Sequence, residues 1–256
     1  MIYGRELLIY ASIINKGDWL EIYKFILEKP QISEAALTQV MGCIKCGVIT
    51  ILDQNYPEYL KKIERPPFVL FYYGDISLLD NYEKNLSIVG SRDVDDYIVE
   101  PTKELVMQLS CHYTIVSGLA RGIDTIAHES ALKVGGKTIA VLANGIDYCY
   151  PLENIEMCEI IKKKGLVISE YPFDTQPKPT NFPFRNRIIA GLSKGIFIPS
   201  IMFASGTYST LSYAIKFGRE VFILPHKPFS VTANNRLINE GATLVNAPDD
   251  IIEYMG

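Results

Sequence analysis

Residues 113–143, "YTIVSGLARGIDTIAHESALKVGGKTIAVLA", decide the fold. The stretch opens with a short apolar run at 113–118, breaks at Gly118 and Gly122, and continues as a helix over 123–133. It then turns at Gly135-Gly136 into a second apolar run at 137–143. Continuous Val/Ile-rich runs of this length are what strands look like when a parallel sheet is covered on both faces. The same alternation extends in both directions. Before it come a strand in "NLSIVG" (85–90) and a helix over 101–110. After it come a helix over 152–164, a strand "GLVISE" (165–170), a helix over 185–193 and a strand "GIFIPS" (195–200). A helix over 207–218, a strand "REVFILP" (219–225) and a last helix before "ATLVNA" (242–247) complete the series. Such alternation predicts an α/β fold, a doubly wound and mostly parallel sheet.

Upstream, "GVITILD" (47–53) and "PFVLFYYGD" (67–75) read as further strands, so the α/β unit is expected over 47–256. Residues 1–46 differ. "GRELLIYASIINKG", "WLEIYKFILEKP" and "SEAALTQVMG" read as short helices, punctuated by Lys16-Gly17-Asp18 and Lys29-Pro30, with Ser33 placed to cap the third. They predict a small helical module.

The chain has 256 residues, 48% hydrophobic and 21% charged, enough apolar material for a large core and against disorder. Its net charge of -4 removes the broad basic footprint of a general nucleic-acid binder, so any anion site must be local. Five cysteines, odd in number and scattered, with no secretory leader, predict reduced thiols in a cytoplasmic protein. The apolar run 7–14 is too short to span a membrane and is read as a core helix. Cys43 and Cys46 form a CxxC, but no second pair or paired histidine completes a ligand set, so no metal and no other cofactor is expected.

Ligands of a doubly wound sheet bind beyond the carboxyl ends of its strands. Three loops there carry glycine with hydroxyls or a cation: Gly90, Ser91 and Arg92; Ser117, Gly118 and Arg121; Ser205, Gly206 and Thr207. Glycine admits a ligand close to the backbone, and the first N–H groups of the following helix favour an anion. Each loop alone reads more readily as a helix cap or tight turn; three on one edge point to a site. Neither Gly-x-Gly-x-x-Gly nor a Walker lysine loop is present, which disfavours a dinucleotide or ATP enzyme.

Residues 176–193 hold Lys178, Arg185 and Arg187 and no acid, with Phe182 and Phe184 between the cations. Cations with interleaved rings suit single-stranded nucleic acid, where charge tracks phosphate and a ring stacks a base, as well as they suit core phenylalanines beside solvated arginines. Two residues apart at a helix start, one arginine can face the ligand edge while the other pairs internally. Asp124 and His128, four apart, are spaced to hydrogen-bond and fix their helix to its loop; Glu170, at a strand end, is the best placed catalytic carboxylate. No nucleophile–base–orienter set is legible, so no catalytic residue is assigned.

Together "IVGSR" (88–92), "VSGLARGIDTIAH" (116–128), "TIAVLANGIDYCYP" (138–151), "ISEYP" (168–172), "FPFRNRIIAGLS" (182–193), "SGTYST" (205–210), "GREVFILP" (218–225) and "NRLINEGATLV" (235–245) resemble the DprA/Smf family of bacterial DNA-processing proteins. The resemblance implies an extended Rossmann-like domain, a homodimer, and a non-enzymatic recombination mediator of natural transformation that binds single-stranded DNA and loads RecA. Carried over, the DNA site is Gly90, Ser91, Arg92, Phe182, Arg185, Asn186 and Arg187. Ser117, Gly118, Arg121 and Lys178 join it, with Ser205, Gly206 and Thr207 on the same edge. Asp93, Asp95 and Asp96 beside Arg92, and His226 and Ala233 where the family has glycine, depart from its pattern. The winged-helix domain of longer members is not expected here. The rival reading is a nucleotide phosphoribohydrolase of the Rossmann-like LOG class, but "ASGTYSTLSYA" lacks the catalytic glutamate of that class.

Overall fold

A computed structural model describes residues 4–256; the first three residues of the expected 1–46 module lie outside it. Helices α1 (Gly4–Ile14), α2 (Trp19–Glu28) and α3 (Glu34–Met41) come first. Strand β1 (Gly47–Thr50), helix α4 (Glu58–Lys61) and strand β2 (Val69–Gly74) follow. The alternating part runs β3 (Asn85–Ile88), α5 (Asp96–Leu109), β4 (Thr114–Ser117), α6 (Ile123–Lys133), β5 (Thr138–Leu142), α7 (Ile155–Lys164) and β6 (Leu166–Ser169). It continues α8 (Asn181–Leu192), β7 (Gly195–Ile198), α9 (Thr207–Lys216), β8 (Glu220–Ile223), α10 (Asn234–Asn239), β9 (Thr243–Leu244) and α11 (Asp249–Met255).

The strands form one sheet in the order β1-β2-β6-β5-β4-β3-β7-β8-β9. From β6 to β9 every pairing is parallel; β2 pairs antiparallel with both β1 and β6. This is the expected doubly wound, Rossmann-like α/β sheet, with an antiparallel extension at one side. The chain builds outward from β3 to β6, then crosses back through α8 to place β7 on the other flank of β3. The gap above β3 and β7 is therefore the topological switch point, where adjacent loops diverge and leave a crevice.

Side chains on a strand alternate between faces, and here both faces are buried. Val116, Ile139, Val141, Ile168, Ile196 and Ile198 meet Ile188, Ile189 and Leu192 of α8 and Leu211 and Ala214 of α9. Their neighbours Ile115 and Phe197, with Leu86 and Ile88, meet α5, α6 and α11. Val69, Phe71, Ala140 and Val167 meet α7 and Leu8 and Ile9 of α1, so the first helix packs on the sheet. Each fully buried Val, Leu, Ile or Phe among them contributes roughly 1.5–3 kcal/mol by leaving water.

Two helix starts differ from the sequence reading. A helix from residue 101 is expected, yet α5 starts at Asp96 and carries Pro101 inside. Likewise α8 starts at Asn181, not at Arg185. In α8 the cause is Pro183: proline lacks an N–H, but a first-turn N–H has no intrahelical partner anyway, so it fits there. Asn181 fixes that start by donating from Nδ2 to the Ala143 carbonyl, 3.1 Å away.

Candidate nucleic-acid interface

A cleft of about 640 Å³ opens at the switch point. The β3 loop gives it Gly90, Ser91, Arg92 and Asp93; the β7 loop gives Met202, Phe203, Ser205, Gly206 and Thr207. Phe182, Arg185 and Asn186 of α8, with Tyr150 and Asp124, close it. Of the residues singled out from sequence, Gly90, Ser91, Arg92, Phe182, Arg185, Asn186, Ser205, Gly206 and Thr207 therefore meet in one place.

They do different things there. Ser91 ties the two loops together: its N–H donates to the Ser200 carbonyl at 2.8 Å and its Oγ accepts from Met202 N at 3.0 Å. Gly90 is a packing requirement, since a Cβ there would sit 2.5 Å from Ile123 Cγ1 and 2.6 Å from the Ser200 oxygen. Arg92 is exposed and makes no ion pair among the described residues; its guanidinium lies 5.7 Å from the centre of the Phe182 ring. Phe182 is half-buried and packs on its other neighbour Tyr150, ring centres 5.8 Å apart. Arg92, Phe182 and Tyr150 thus line one side of the cleft with a cation and two rings inclined at 59° to each other. Asp95 and Asp96, which the sequence places against Arg92, sit at the start of α5, where carboxylates complement the helix dipole. Asp93 alone of the three lines the cleft.

Arg185 forms the floor. It is buried, and its Nη1 donates to the carbonyls of Gly118, at 2.9 Å, and Val141. Nε donates to Asn186 Oδ1 at 3.1 Å, while Asn186 Nδ2 reaches Ser209 Oγ of α9 at 2.6 Å. Gly118 admits this arrangement because a Cβ would stand 2.5 Å from Arg185 Nη2. Burial lowers Arg185 to about 10, opposed chiefly by the field of Asp124, so it stays charged at neutral pH. Asp124 does not pair with it directly. Its Oδ2 accepts the N–H groups of Gly118, at 3.1 Å, and Ala120, at 3.3 Å, and so shapes the loop. Beside the floor, at the start of α9, Ser205 Oγ is buried without a hydrogen-bond partner among the described residues.

Five sequence-chosen residues lie elsewhere. Arg187 is buried against Glu170, with Nη2 2.7 Å from both carboxylate oxygens, so it offers no charge to the cleft. The reason is position: with α8 starting earlier, both arginines fall in its second turn and neither stands at the helix end. The same pair removes Glu170 as an acid–base candidate. Ser117 is buried and donates to the Ile88 carbonyl at 2.6 Å, and Gly118 lies under Arg185. Arg121 points outward and pairs with Glu153. Lys178 lines a separate, smaller groove. Asp124 and His128 do not bond each other; His128 Nδ1 instead faces Thr138 Oγ1 at 2.7 Å.

No group of three His, Cys, Asp or Glu among the described residues is placed to hold a metal ion. Burial and the nearby Asp147 push the Cys46 thiol up to about 11, which keeps it protonated. No helix among the described residues is long and apolar enough to cross a membrane.

The sequence profile of the family described as DNA recombination-mediator protein A matches residues 47–256, which carry all nine strands of the sheet among the described residues. The chain belongs to this family. Among its relatives, protein Smf of Synechocystis is 40% identical over 259 residues, which cover 99% of this chain but 62% of that protein. DNA processing protein DprA of Bacillus subtilis is 37% identical over 239 residues, 92% of this chain and 78% of that one. The chain thus spans less than two thirds of the Synechocystis relative. In solved structures, DNA processing protein A of Streptococcus pneumoniae superposes with TM-score 0.81 at 32% identity, over 99% of this chain and 98% of that one. The Helicobacter pylori protein, described for its single-stranded DNA binding mode, superposes with TM-score 0.74 at 30% identity, over 82% and 96%. Sequence reasoning missed Tyr150 and the apolar lip of Met202 and Phe203. Tyr150 had a signal, an aromatic just after a strand-end loop; the lip had none.

Proposed function

We propose that this chain binds single-stranded DNA in the switch-point cleft and, as a homodimer without catalytic activity of its own, delivers the strand to the RecA recombinase. The observation that carries the reading is Arg92: an exposed guanidinium in no ion pair among the described residues, set against the ring of Phe182 with Tyr150 behind it, in the same cleft as the buried Arg185. A base stacks on the ring, for about 1–3 kcal/mol, while a phosphate meets the guanidinium. The unpartnered Ser205 Oγ and the first N–H groups of α9 supply further donors to the same anion. The single-stranded DNA bound by the Helicobacter pylori relative supports the same ligand class.

Binding of a fluorescent oligo-dT at several salt concentrations tests this. Arg92→Ala is expected to weaken binding and to reduce the log–log salt slope by about 0.7, the release from one phosphate contact. An unchanged slope removes Arg92 from the site, and release of free base from AMP by the purified chain would favour the hydrolase reading instead. Stimulation of RecA strand exchange on protein-coated single strands tests the delivery step.

A further inference from the structure

A second groove, of about 290 Å³, lies across the first turn of α8 from the cleft. Lys16, Asp18 and Trp19 of the α1–α2 turn, Arg65, and Lys178 and Phe184 beside α8 line it. Lys16, Arg65 and Lys178 are all exposed, and none makes an ion pair among the described residues. Three unpaired cations at one groove run against the net charge of -4. The lone acid in the lining, Asp18, is engaged as the cap of α2, accepting from Leu20 N at 3.0 Å and Glu21 N at 3.1 Å.

The groove is also built, not merely decorated. Trp19 stacks at 5.0 Å on Phe68 and donates from Nε1 to the Pro66 carbonyl at 2.8 Å. Arg65 lies 6.0 Å from the indole centre, and its carbonyl accepts from Arg187 Nε at 2.9 Å. The buried Arg187 therefore holds both Phe184, its guanidinium 3.7 Å from that ring, and the segment carrying Arg65. Pro179, Phe182 and Pro183 face the cleft, while Lys178, Thr180 and Phe184 face the groove. A strand crossing this one turn touches both.

We propose that this groove is a second phosphate-binding subsite, which takes the continuation of the same single strand as it leaves the cleft; this rests on the cleft being the strand's primary site. The helical module then lengthens the DNA footprint, and Arg187 acts as a positioning residue between the two sites.

Anisotropy titrations of the full chain with dT oligonucleotides of about 6 and about 20 nucleotides, within and beyond the site size of a single binding surface, test it. The variant Lys16→Ser/Arg65→Ser/Lys178→Ser is expected to bind the short oligonucleotide like the parent. Its salt slope on the long one should fall by about 2, three contacts at roughly 0.7 each. All three side chains are exposed, and an unchanged thermal melt confirms that the fold is kept. A parental slope on the long oligonucleotide overturns the proposal, as does equal weakening on both lengths or equal competition by duplex. Arg92→Ala separates the two readings. If it leaves short-oligonucleotide binding intact, the cleft reading fails; if it weakens both lengths while the triple variant changes neither, only the groove fails.

Discussion

Two arginines, two residues apart on α8, are both buried and meet the cost of burial in opposite ways. Arg187 faces a carboxylate: Glu170 takes two hydrogen bonds from its Nη2, and the pair is neutral. Arg185 faces carbonyls and an amide, from Gly118, Val141 and Asn186, with Asp124 felt only through space. Neutral acceptors satisfy its N–H groups without cancelling its charge. One end of the turn therefore welds α8 to the end of β6, and the other leaves a guanidinium without a directly paired carboxylate as the floor of an open cleft, offset only through space by Asp124. Burial alone does not tell an architectural arginine from a ligand-facing one; the charge of its partners does.

The sharpest way to break this contrast is to remove Glu170. Glu170→Ala leaves Arg187 charged and unpaired in the core, and loss of one partner of a buried pair costs about 3–5 kcal/mol. Urea denaturation measures it. The double substitution Glu170→Met/Arg187→Met should recover most of that loss, because two apolar side chains leave no charge stranded. A cost below 1 kcal/mol for Glu170→Ala would mean that the pair is not what holds α8, and the contrast with Arg185 would collapse.

Arg185→Met strands carbonyls and an amide, for about 1–3 kcal/mol, and also takes from the buried Asp124 the cation whose field favours its ionised form. Its effect on DNA binding should be the larger one: the cleft loses its floor charge, and affinity for oligo-dT of about 6 nucleotides, within the site size of one binding surface, falls while the Glu170→Met/Arg187→Met double variant, if folded, keeps it. Gly118→Ala approaches the same result from the other side, since the added Cβ pushes on the guanidinium. If Arg185→Met and the double variant weaken DNA binding equally, the two arginines are not functionally distinct.

The fold was legible because glycine-bounded Val/Ile runs alternate with helices, and that periodicity survives any local detail. The cleft was legible only in part. Gly90, Arg92 and Phe182 announce themselves because exposed loops carry their own chemistry. Arg185 and Arg187 look alike in "RNR", and what separates them is Glu170, seventeen positions away from one and invisible to local reading. The misplaced start of α8 has the same origin. Proline is read as an obstacle to a helix, yet Pro183 sits where no N–H is needed. Tyr150 joins Phe182 only after β5 and α8 are assembled.

His128 offers the subtlest measure of the uncancelled charge on Arg185. Thr138 Oγ1 donates to the Ile115 carbonyl at 2.8 Å, so at the 2.7 Å contact it must accept from His128 Nδ1–H. That fixes the tautomer and leaves Nε2 as a buried acceptor with no partner among the described residues. Burial, and secondarily the field of Arg185, lower His128 to about 3. In the unfolded chain it titrates near the ordinary value of 6.5, so the unfolded state binds the proton first. Its contribution is thus fully present above pH 6.5 and is lost as pH falls towards 3, at a rate approaching about 1.4 kcal/mol per pH unit. His226 is also lowered by burial and tilts the parent curve the same way, so the informative quantity is the difference between parent and His128→Phe. That variant should show a flatter fall in stability between pH 6.5 and 4.5, as read by denaturant titration at each pH. In Arg185→Met the histidine should titrate higher than in the parent, by NMR of its ring protons. An unmoved His128 would mean that the charge of Arg185 is neutralised within the protein after all, and then the floor of the cleft attracts nothing.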